Sequence, residues 1–352
     1  MVSGSEFVAE YSKKGLPAWE AAALELARQG GLTPWPWVEI PLSDGADTAV
    51  IRVASDVLAV GSLEDHLRLP LTPGRAQDIL NLSGALMPTP YLEYVIWRSA
   101  AVKLPPTAMV PNRGADLNQY AAHSSLIDGQ IDAALAVATG DARLDLARSI
   151  ERDARMNRSG NASDAWAVAN DAWLEVGADQ RGRLVSGMKK GVVVANFYKV
   201  GKVLLFGWYR PPPAPDVFDD GRPMGTIDRQ PIQPKSNVHG DFYVDYSHGI
   251  RAIAPLATVN GQVMRTEDLY RHPTLSRLVS NEGPVKVPRY PSRVHVAEIP
   301  PIAGAGIFRP VMSITGPAAV DEMARANAPM TPGMSEYALD VIARQARERG
   351  RA

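Results

Sequence analysis

The sequence contains no cysteine among its 352 residues. This absence excludes disulfide bonds, thiolate nucleophiles and metal sites held by cysteine. It suits a protein that works outside the cytoplasm or in a virus particle, where a reactive thiol is open to oxidation.

An excess of positive charge is also lacking, because 37 Lys and Arg residues balance 38 Asp and Glu residues to a net charge of −1. Binding to nucleic acid by bulk charge is therefore excluded, and we predict no nucleic-acid partner. The longest apolar runs have the length of strands, so we predict no transmembrane segment. The first ten residues lack the basic and apolar regions of a signal peptide, and we expect none in this numbering.

The hydrophobic pattern changes along the chain. In the N-terminal half apolar residues recur at helical spacing, and Thr-Pro pairs at 72–73 and 89–90 are typical of helix starts. Near residue 190 the pattern changes to short apolar runs, which predict strands within 191–208 and 241–255. This order favours an α+β fold, with a helical N-terminal part packed on a mixed or antiparallel β-rich C-terminal part.

We predict two domains, with a boundary at residue 185. Residues 1–185 form a mainly helical domain with a short hairpin near 48–60. Residues 186–352 form an α+β domain that ends in helices within 317–349. The proline-rich segment 211–228 has neither a helical nor a strand period and is predicted to be a surface loop.

Only six histidines are present, and two of them lie in one polar stretch. This stretch contains His239, Asp241, Asp245, His248 and Arg251. If residues 239–245 are extended, His239 and the two aspartates share one face. If the chain turns tightly after Asp245, that carboxylate approaches His248, which lies three residues later.

The cluster has three interpretations. An Asp–His pair suits general-base chemistry, because the carboxylate orients the imidazole and raises its basicity. The same four groups, His239, Asp241, Asp245 and His248, could instead bind zinc, although their spacing matches no metal motif. The third interpretation is a polar hairpin whose His and Asp residues have a purely structural role. We predict no cofactor and leave zinc open.

Other motifs of catalysis are absent. The chain has no GxSxG nucleophile motif and no phosphate-binding lysine motif, and the glycines at 304–306 lack the third glycine of a dinucleotide site. The polar stretch is therefore the one candidate site.

Several segments of the chain resemble a family of uncharacterised bacterial proteins that have the features of exported proteins. The resemblance covers about 57–285 and is carried by the PTPYL sequence at 88–92, by VHG at 238–240 and DYSHGIR at 245–251, and by the segments 59–73, 122–127 and 187–193. The chain departs from the family near 139–180 and 211–228. The resemblance supplies no activity, but it implies that one recurrent set of residues belongs together: His123, Lys190, His239, Asp245, His248 and Arg251.

Two functions follow as expectations. The first is a hydrolase or lyase that acts on a cell-envelope polymer, either glycan or peptide. In it His248 or His239 is the general base, Asp245 orients it, and Arg251 or Lys190 stabilises negative charge. The alternative is a non-catalytic structural or adhesive component of a phage particle or surface assembly. Both imply an extracellular, cell-surface or virion location and a polymeric or cell-surface partner, and both leave oligomerisation open.

Overall fold

The computed structural model describes residues 2–104, 106–139, 184–209 and 231–297. The predicted C-terminal helices within 317–349 and the predicted loop 211–228 lie outside these residues, as does nearly all of the segment 139–180.

The two helices that follow the Thr-Pro pairs begin where the sequence predicts. Helix α4 begins at Thr89, whose hydroxyl accepts a hydrogen bond from the backbone N–H of Leu92, and a proline fills its first turn. Proline also opens α3. The described helices are α1 (Gly4–Tyr11), α2 (Leu16–Arg28), α3 (Pro73–Asn81), α4 (Pro90–Ser99), α5 (Leu117–Thr139) and α6 (Thr266–Arg271), followed by a 3₁₀ turn at Leu275–Leu278.

The described strands are short and form four small sheets. In chain order they are β1 (Trp37–Asp44), β2 (Asp47–Ala54), β3 (Ala59–Gly61), β4 (His66–Arg68), β5 (Val102–Lys103), β6 (Val185–Ser186), β7 (Lys190–Val192), β8 (Leu205–Tyr209), β9 (Pro231–Ser236), β10 (His248–Gly249), β11 (Leu256–Val259) and β12 (Gln262–Arg265). The first four-stranded sheet has the order β1-β2-β11-β12 and the second β10-β7-β8-β9; β3 pairs with β4 and β5 with β6.

The α+β class is confirmed. Five of the six described α-helices lie before residue 140, and strands dominate the described part of the C-terminal half. The sheets are antiparallel or mixed, since β10 and β7 run parallel while β7, β8 and β9 pair antiparallel. The first sheet contains strands from both halves of the chain, because β11 pairs with β2.

Strand pairing near 48–60 differs from the predicted hairpin. The strands on either side of the turn at Asp56 do not pair with each other. Strand β2 pairs along its whole length with β1, and β3 pairs with β4. Gly45, with φ of +62°, closes the tight β1–β2 turn, a conformation that suits glycine. The long predicted strand 241–255 likewise reduces to the two residues of β10.

One hydrophobic core joins the helices to the first sheet. It contains the fully buried side chains of Trp19 on α2, Ile79 on α3, Ile96 on α4, Ile51 on β2 and Ile253 before β11. Helix α4 also contacts the second sheet, where Trp97 stacks on Tyr209 with ring centroids 4.5 Å apart. These contacts hold β10 and β7, which carry the polar stretch, against rigid packed elements.

Candidate functional site

A parallel pair of strands brings the polar stretch beside two lysines. His248 on β10 is in register with Lys190 on β7, and the backbone N–H of Lys190 donates to the carbonyl of Ser247 at 2.7 Å. Gly249 is required here, because a Cβ atom would lie 2.7 Å from Cβ of Lys189 and 2.9 Å from Cγ1 of Val57. The close approach of these backbones therefore positions His248 and the two lysines together.

A tight turn follows Asp245. The backbone N–H of His248 donates to the carbonyl of Asp245 at 3.1 Å. Oδ1 of Asp245 accepts from the backbone N–H and the hydroxyl of Ser247, at 2.8 and 2.5 Å. Oδ2 accepts from the hydroxyl of Tyr243 at 2.7 Å and from Nδ2 of Asn112 at 2.9 Å. Burial alone would raise the pKa of Asp245, but the charge interaction with His248 and these hydrogen bonds outweigh it and hold the pKa well below its usual range.

The imidazole of His248 is buried and lacks hydrogen-bond partners. Its relative exposure is 1%, and neither ring nitrogen has a partner in the described part of the chain. Nε2 lies 4.0 Å from Oδ1 of Asp245, beyond hydrogen-bond distance. Burial lowers the pKa of His248 to about 4, although Asp245 acts in the opposite direction. At neutral pH the ring is therefore uncharged, and its one nitrogen lone pair accepts no hydrogen bond from the described residues.

His239 forms the outer layer of the same cluster. It is exposed, and its ring stacks on that of Tyr243 with centroids 3.9 Å apart. The Tyr243 ring in turn meets His248 edge-on at 5.6 Å. Residues 239–243 are not extended, because the backbone N–H of Tyr243 bonds back to the carbonyl of Gly240. This turn leads from solvent at His239 to the buried ring of His248.

Lys190, in strand register with His248, is one of the positively charged groups that act on its ring. Its Nζ lies 4.3 Å from the ring centroid of Trp208, a cation–π contact. Burial lowers the pKa of Lys190, while Asp245 opposes this shift. Trp208 has φ of +56°, which is strained backbone for a residue of its size. No local pattern in the sequence indicates that Trp208 contacts Lys190, because the position of its ring depends on this backbone conformation.

His123 lies behind the cluster and is fully buried. Its Nδ1 lies 2.9 Å from Nζ of Lys189, and its Nε2 lies 3.1 Å from the carbonyl oxygen of Thr107. Nε2 therefore carries the proton and Nδ1 accepts from the lysine. Nζ of Lys189 also donates to the carbonyl of Tyr246. Burial, followed by the charge of Arg68, lowers the pKa of Lys189 to about 7.

Arg251 links separate segments of backbone. One guanidinium nitrogen donates to the carbonyl of Ala54 and another to that of Val185, each at 2.6 Å. The buried carboxyl of Glu93 interacts electrostatically with Arg251, and burial raises the pKa of Glu93 to about 7 despite that interaction. Gly191 makes room for this carboxyl, since a Cβ atom there would lie 2.8 Å from Cδ of Glu93. The hydrogen bonds of the Arg251 guanidinium therefore connect backbone segments.

The structure brings together some predicted site residues and separates others. Asp245, His248, Lys190 and His239 form one connected cluster, which we call the His248 cluster together with Tyr243. His123 bonds instead to Lys189 and to the backbone of Thr107, and Arg251 bonds to the backbone of Ala54 and Val185. Among residues 2–104, 106–139, 184–209 and 231–297, no three His, Cys, Asp or Glu side chains are arranged to hold a metal ion, and this includes the zinc set with Asp241.

Five residues that contact or neighbour the predicted site residues were not predicted from the sequence: Tyr243, Trp208, Asn112, Lys189 and Glu93. Asn112 reaches Asp245 across 133 residues of chain from a loop with no secondary-structure signal. Lys189 and Glu93 were likewise not among the predicted site residues. A buried charged residue on an otherwise apolar helix face was the available signal for Glu93.

Comparisons of the chain with protein-family models, with curated proteins and with solved structures find no match in any of the three. Within the residues that the structure describes, no helix is long and apolar enough to span a lipid bilayer.

Proposed function

We propose that the protein is a hydrolase or lyase with His248 as its general base. The observation that carries the proposal is the buried, uncharged imidazole whose two nitrogens have no partner among the described residues. An unpartnered buried polar atom costs about 1–3 kcal/mol, so folded proteins rarely keep two of them in one ring. A substrate or catalytic water that occupies these positions accounts for the cost.

The neighbours of His248 have complementary roles in this proposal. The ring accepts a proton either from water, which then attacks an electrophilic carbon, or from a carbon next to a carbonyl, which leads to elimination. Ionised Asp245, 4.0 Å from Nε2, stabilises the imidazolium that forms. Lys190, opposite His248 in the strand register, stabilises negative charge that develops on the substrate.

Access to His248 requires movement of the outer layer. The ring is almost fully buried, and the Tyr243 ring lies against it with exposed His239 stacked on Tyr243. A polymer segment that displaces the rings of both His239 and Tyr243 would open the path to the base. The exclusion of water in the closed state strengthens the electrostatic interactions inside the site.

The substrate class follows from the sequence rather than from the site. The absence of cysteine and the resemblance to proteins with exported features support an extracellular, cell-surface or virion location. We therefore propose a cell-envelope polymer, either glycan or peptide, as the substrate.

The experiment is an activity screen with a matched pair of variants. The purified protein is incubated with peptidoglycan and a panel of envelope glycans. Each incubation is repeated with a chelator, which tests whether turnover requires a zinc ion. New reducing ends and amines report hydrolysis, and ultraviolet absorbance of an unsaturated product reports elimination. His248→Ala should abolish turnover, while His295→Ala, at an exposed position, should retain it. Equal activity of wild type and His248→Ala would refute the proposal.

A structural or adhesive role is the second candidate, and a specific observation favours it. His123 and Arg251 are buried and hydrogen-bonded to backbone carbonyls, in the manner of groups that connect chain segments. In that case no substrate in the panel is turned over. The purified protein would instead bind intact envelope material equally well with and without the His248→Ala change.

A further inference from the structure

Two adjoining turns of the second sheet present apolar side chains to solvent. Phe197 and Val200 belong to the turn at 197–202, and Val238 and Phe242 belong to the turn at 237–242. Their relative exposures are 46, 85, 76 and 84%. We call these four residues the apolar tip. It borders the His248 cluster, because His239 lies between Val238 and Phe242 in the chain.

The two turns are held together by hydrogen bonds. The backbone N–H of Asp241 donates to the carbonyl of Gly201 at 3.1 Å, and Nδ2 of Asn237 donates to the carbonyl of Phe197 at 2.7 Å. Nζ of Lys202 donates to the carbonyl of Val238 at 3.3 Å. The exposed side chains therefore sit on a fixed frame, so their exposure is a property of the fold.

The apolar tip protrudes. An ideal Cβ at Gly201 meets no atom within 4 Å, and one at Gly240 meets only the carbonyl oxygen of Gly201, at 3.9 Å. Val200, Val238 and Phe242, each exposed by three quarters or more, stand clear of the surface. A flat protein surface would contact their ends alone, whereas the headgroup and acyl region of a bilayer would surround each one.

The charges around the tip complement an anionic surface. Lys199 is exposed in the first turn beside Lys202, and exposed Lys286 is bonded through its backbone N–H to the side chain of Asn196. The acidic residues nearby are Asp241 and Glu282; Glu282 accepts from the backbone N–H of Asn196 and is paired with Lys235. Basic residues beside a small apolar patch are typical of interfacial anchoring to acidic lipids, in which neither element suffices alone.

We propose that the apolar tip docks the protein on the surface of a lipid bilayer that contains anionic lipids. Phe197, Val200, Val238 and Phe242 enter the headgroup and acyl boundary, and the neighbouring lysines contact acidic headgroups. Docking in this way would place His239 and the His248 cluster at the membrane surface. The inference rests on exposure and charge and is independent of the proposed catalytic role.

The test is co-sedimentation of the full chain with vesicles. Vesicles of phosphatidylcholine alone are compared with vesicles that contain one quarter phosphatidylglycerol, at about 0.1 M salt. Wild type should bind the anionic vesicles at least tenfold more strongly than the neutral ones. Phe242→Ser should lower the partition coefficient about tenfold or more, as expected for one buried aromatic side chain.

Matched controls separate docking from loss of folding. Val200→Ser should weaken binding severalfold, and Val263→Ser, an exposed valine on β12 in the other sheet, should leave it unchanged. Lys199→Glu should weaken binding to anionic vesicles, while exposed Lys13→Glu should not. Circular dichroism confirms that each variant is folded.

Three results would overturn the proposal. One is wild-type protein that stays in the supernatant with both vesicle types. Another is an equal loss of binding in Val200→Ser and Val263→Ser. The third is a concentration-dependent dimer in solution that Phe242→Ser dissociates, which would make the apolar tip a contact between copies of this chain.

Discussion

The buried imidazole of His248 makes stability depend on pH in a way that can be measured. In the unfolded chain its pKa is near the ordinary value of 6.5, and in the folded protein burial lowers the pKa to about 4. Between these values the unfolded chain binds more protons than the folded protein. The contribution of His248 to stability is therefore lost as the pH falls from about 6.5 towards 4.

The magnitude follows from the two pKa values. One pKa unit corresponds to about 1.4 kcal/mol, so lowering the pH from 7.5 to 4.5 should cost the folded state about 2–3 kcal/mol through His248 alone. This is a large part of the stability of an ordinary domain. The group is almost fully buried, so solvent screening reduces the effect little.

Glu93 acts in the opposite direction over the same range. Burial raises the pKa of its carboxyl from 4.5 to about 7, so the folded protein binds more protons than the unfolded chain between those values. Its contribution is present at low pH and is lost as the pH rises through about 7, again by about 3 kcal/mol. In the wild type the two effects nearly cancel between pH 4.5 and 7.5.

The assay is urea unfolding of wild type, His248→Leu and Glu93→Gln at pH values from 4.5 to 7.5. Relative to wild type, His248→Leu should gain about 2–3 kcal/mol of unfolding free energy as the pH is lowered, because the opposing histidine is gone. Glu93→Gln should show the reverse slope. If the difference between wild type and His248→Leu is the same at every pH, His248 does not bind protons differently in the two states, and the reasoning is refuted.

Three further predictions concern the frame of the site, each measured as the midpoint of urea unfolding at pH 7. Gly249→Ala should destabilise by about 1–3 kcal/mol, because the new methyl group overlaps two buried side chains, whereas Gly74→Ala, with its nearest contact at 3.6 Å, should cost nothing. Asp245→Asn should lower the free energy of unfolding by about 2–4 kcal/mol through the loss of charge-assisted hydrogen bonds. The control Asp241→Asn, at a half-buried position, should lower it by less than about 0.5 kcal/mol. Equal losses in the two variants would contradict the hydrogen-bond account. Arg68→Ala should lower the free energy of unfolding by about 3–5 kcal/mol, because it leaves the buried carboxylate of Asp56 without its charged partner. An unchanged midpoint would disprove that Arg68 and Asp56 form a buried ion pair.

Local sequence signals were sufficient for many elements of the fold. The Thr-Pro pairs predicted the starts of α3 and α4, because a fixed proline φ suits the first helical turn and threonine can cap it. The change of hydrophobic period predicted the α+β class. The sequence also predicted that Asp245 approaches His248 if the chain turns tightly after Asp245, since such a turn brings residues three apart together whatever surrounds them.

Long-range packing decided the conformation and the burial of the polar residues of the candidate site. The turn at 239–243 depends on the bond between Gly240 and Tyr243 and on pairing with the neighbouring turn, so sequence could not separate it from an extended strand. Burial of His123 and His248 arises from segments that meet only in the folded chain, and burial is what makes the imidazole of His248 uncharged at neutral pH.

The sequence by itself therefore determined which short segments could be helices, where the polar residues cluster and which chemistries a chain without cysteine cannot use. The tertiary structure decided which of these polar groups face each other, which are buried and which bond to backbone. The physical reason is the range of the interactions. Helix caps and turns depend on neighbours within a few residues, whereas the burial of Asp245 and its hydrogen bond with Asn112 depend on contacts across more than 100 residues of chain.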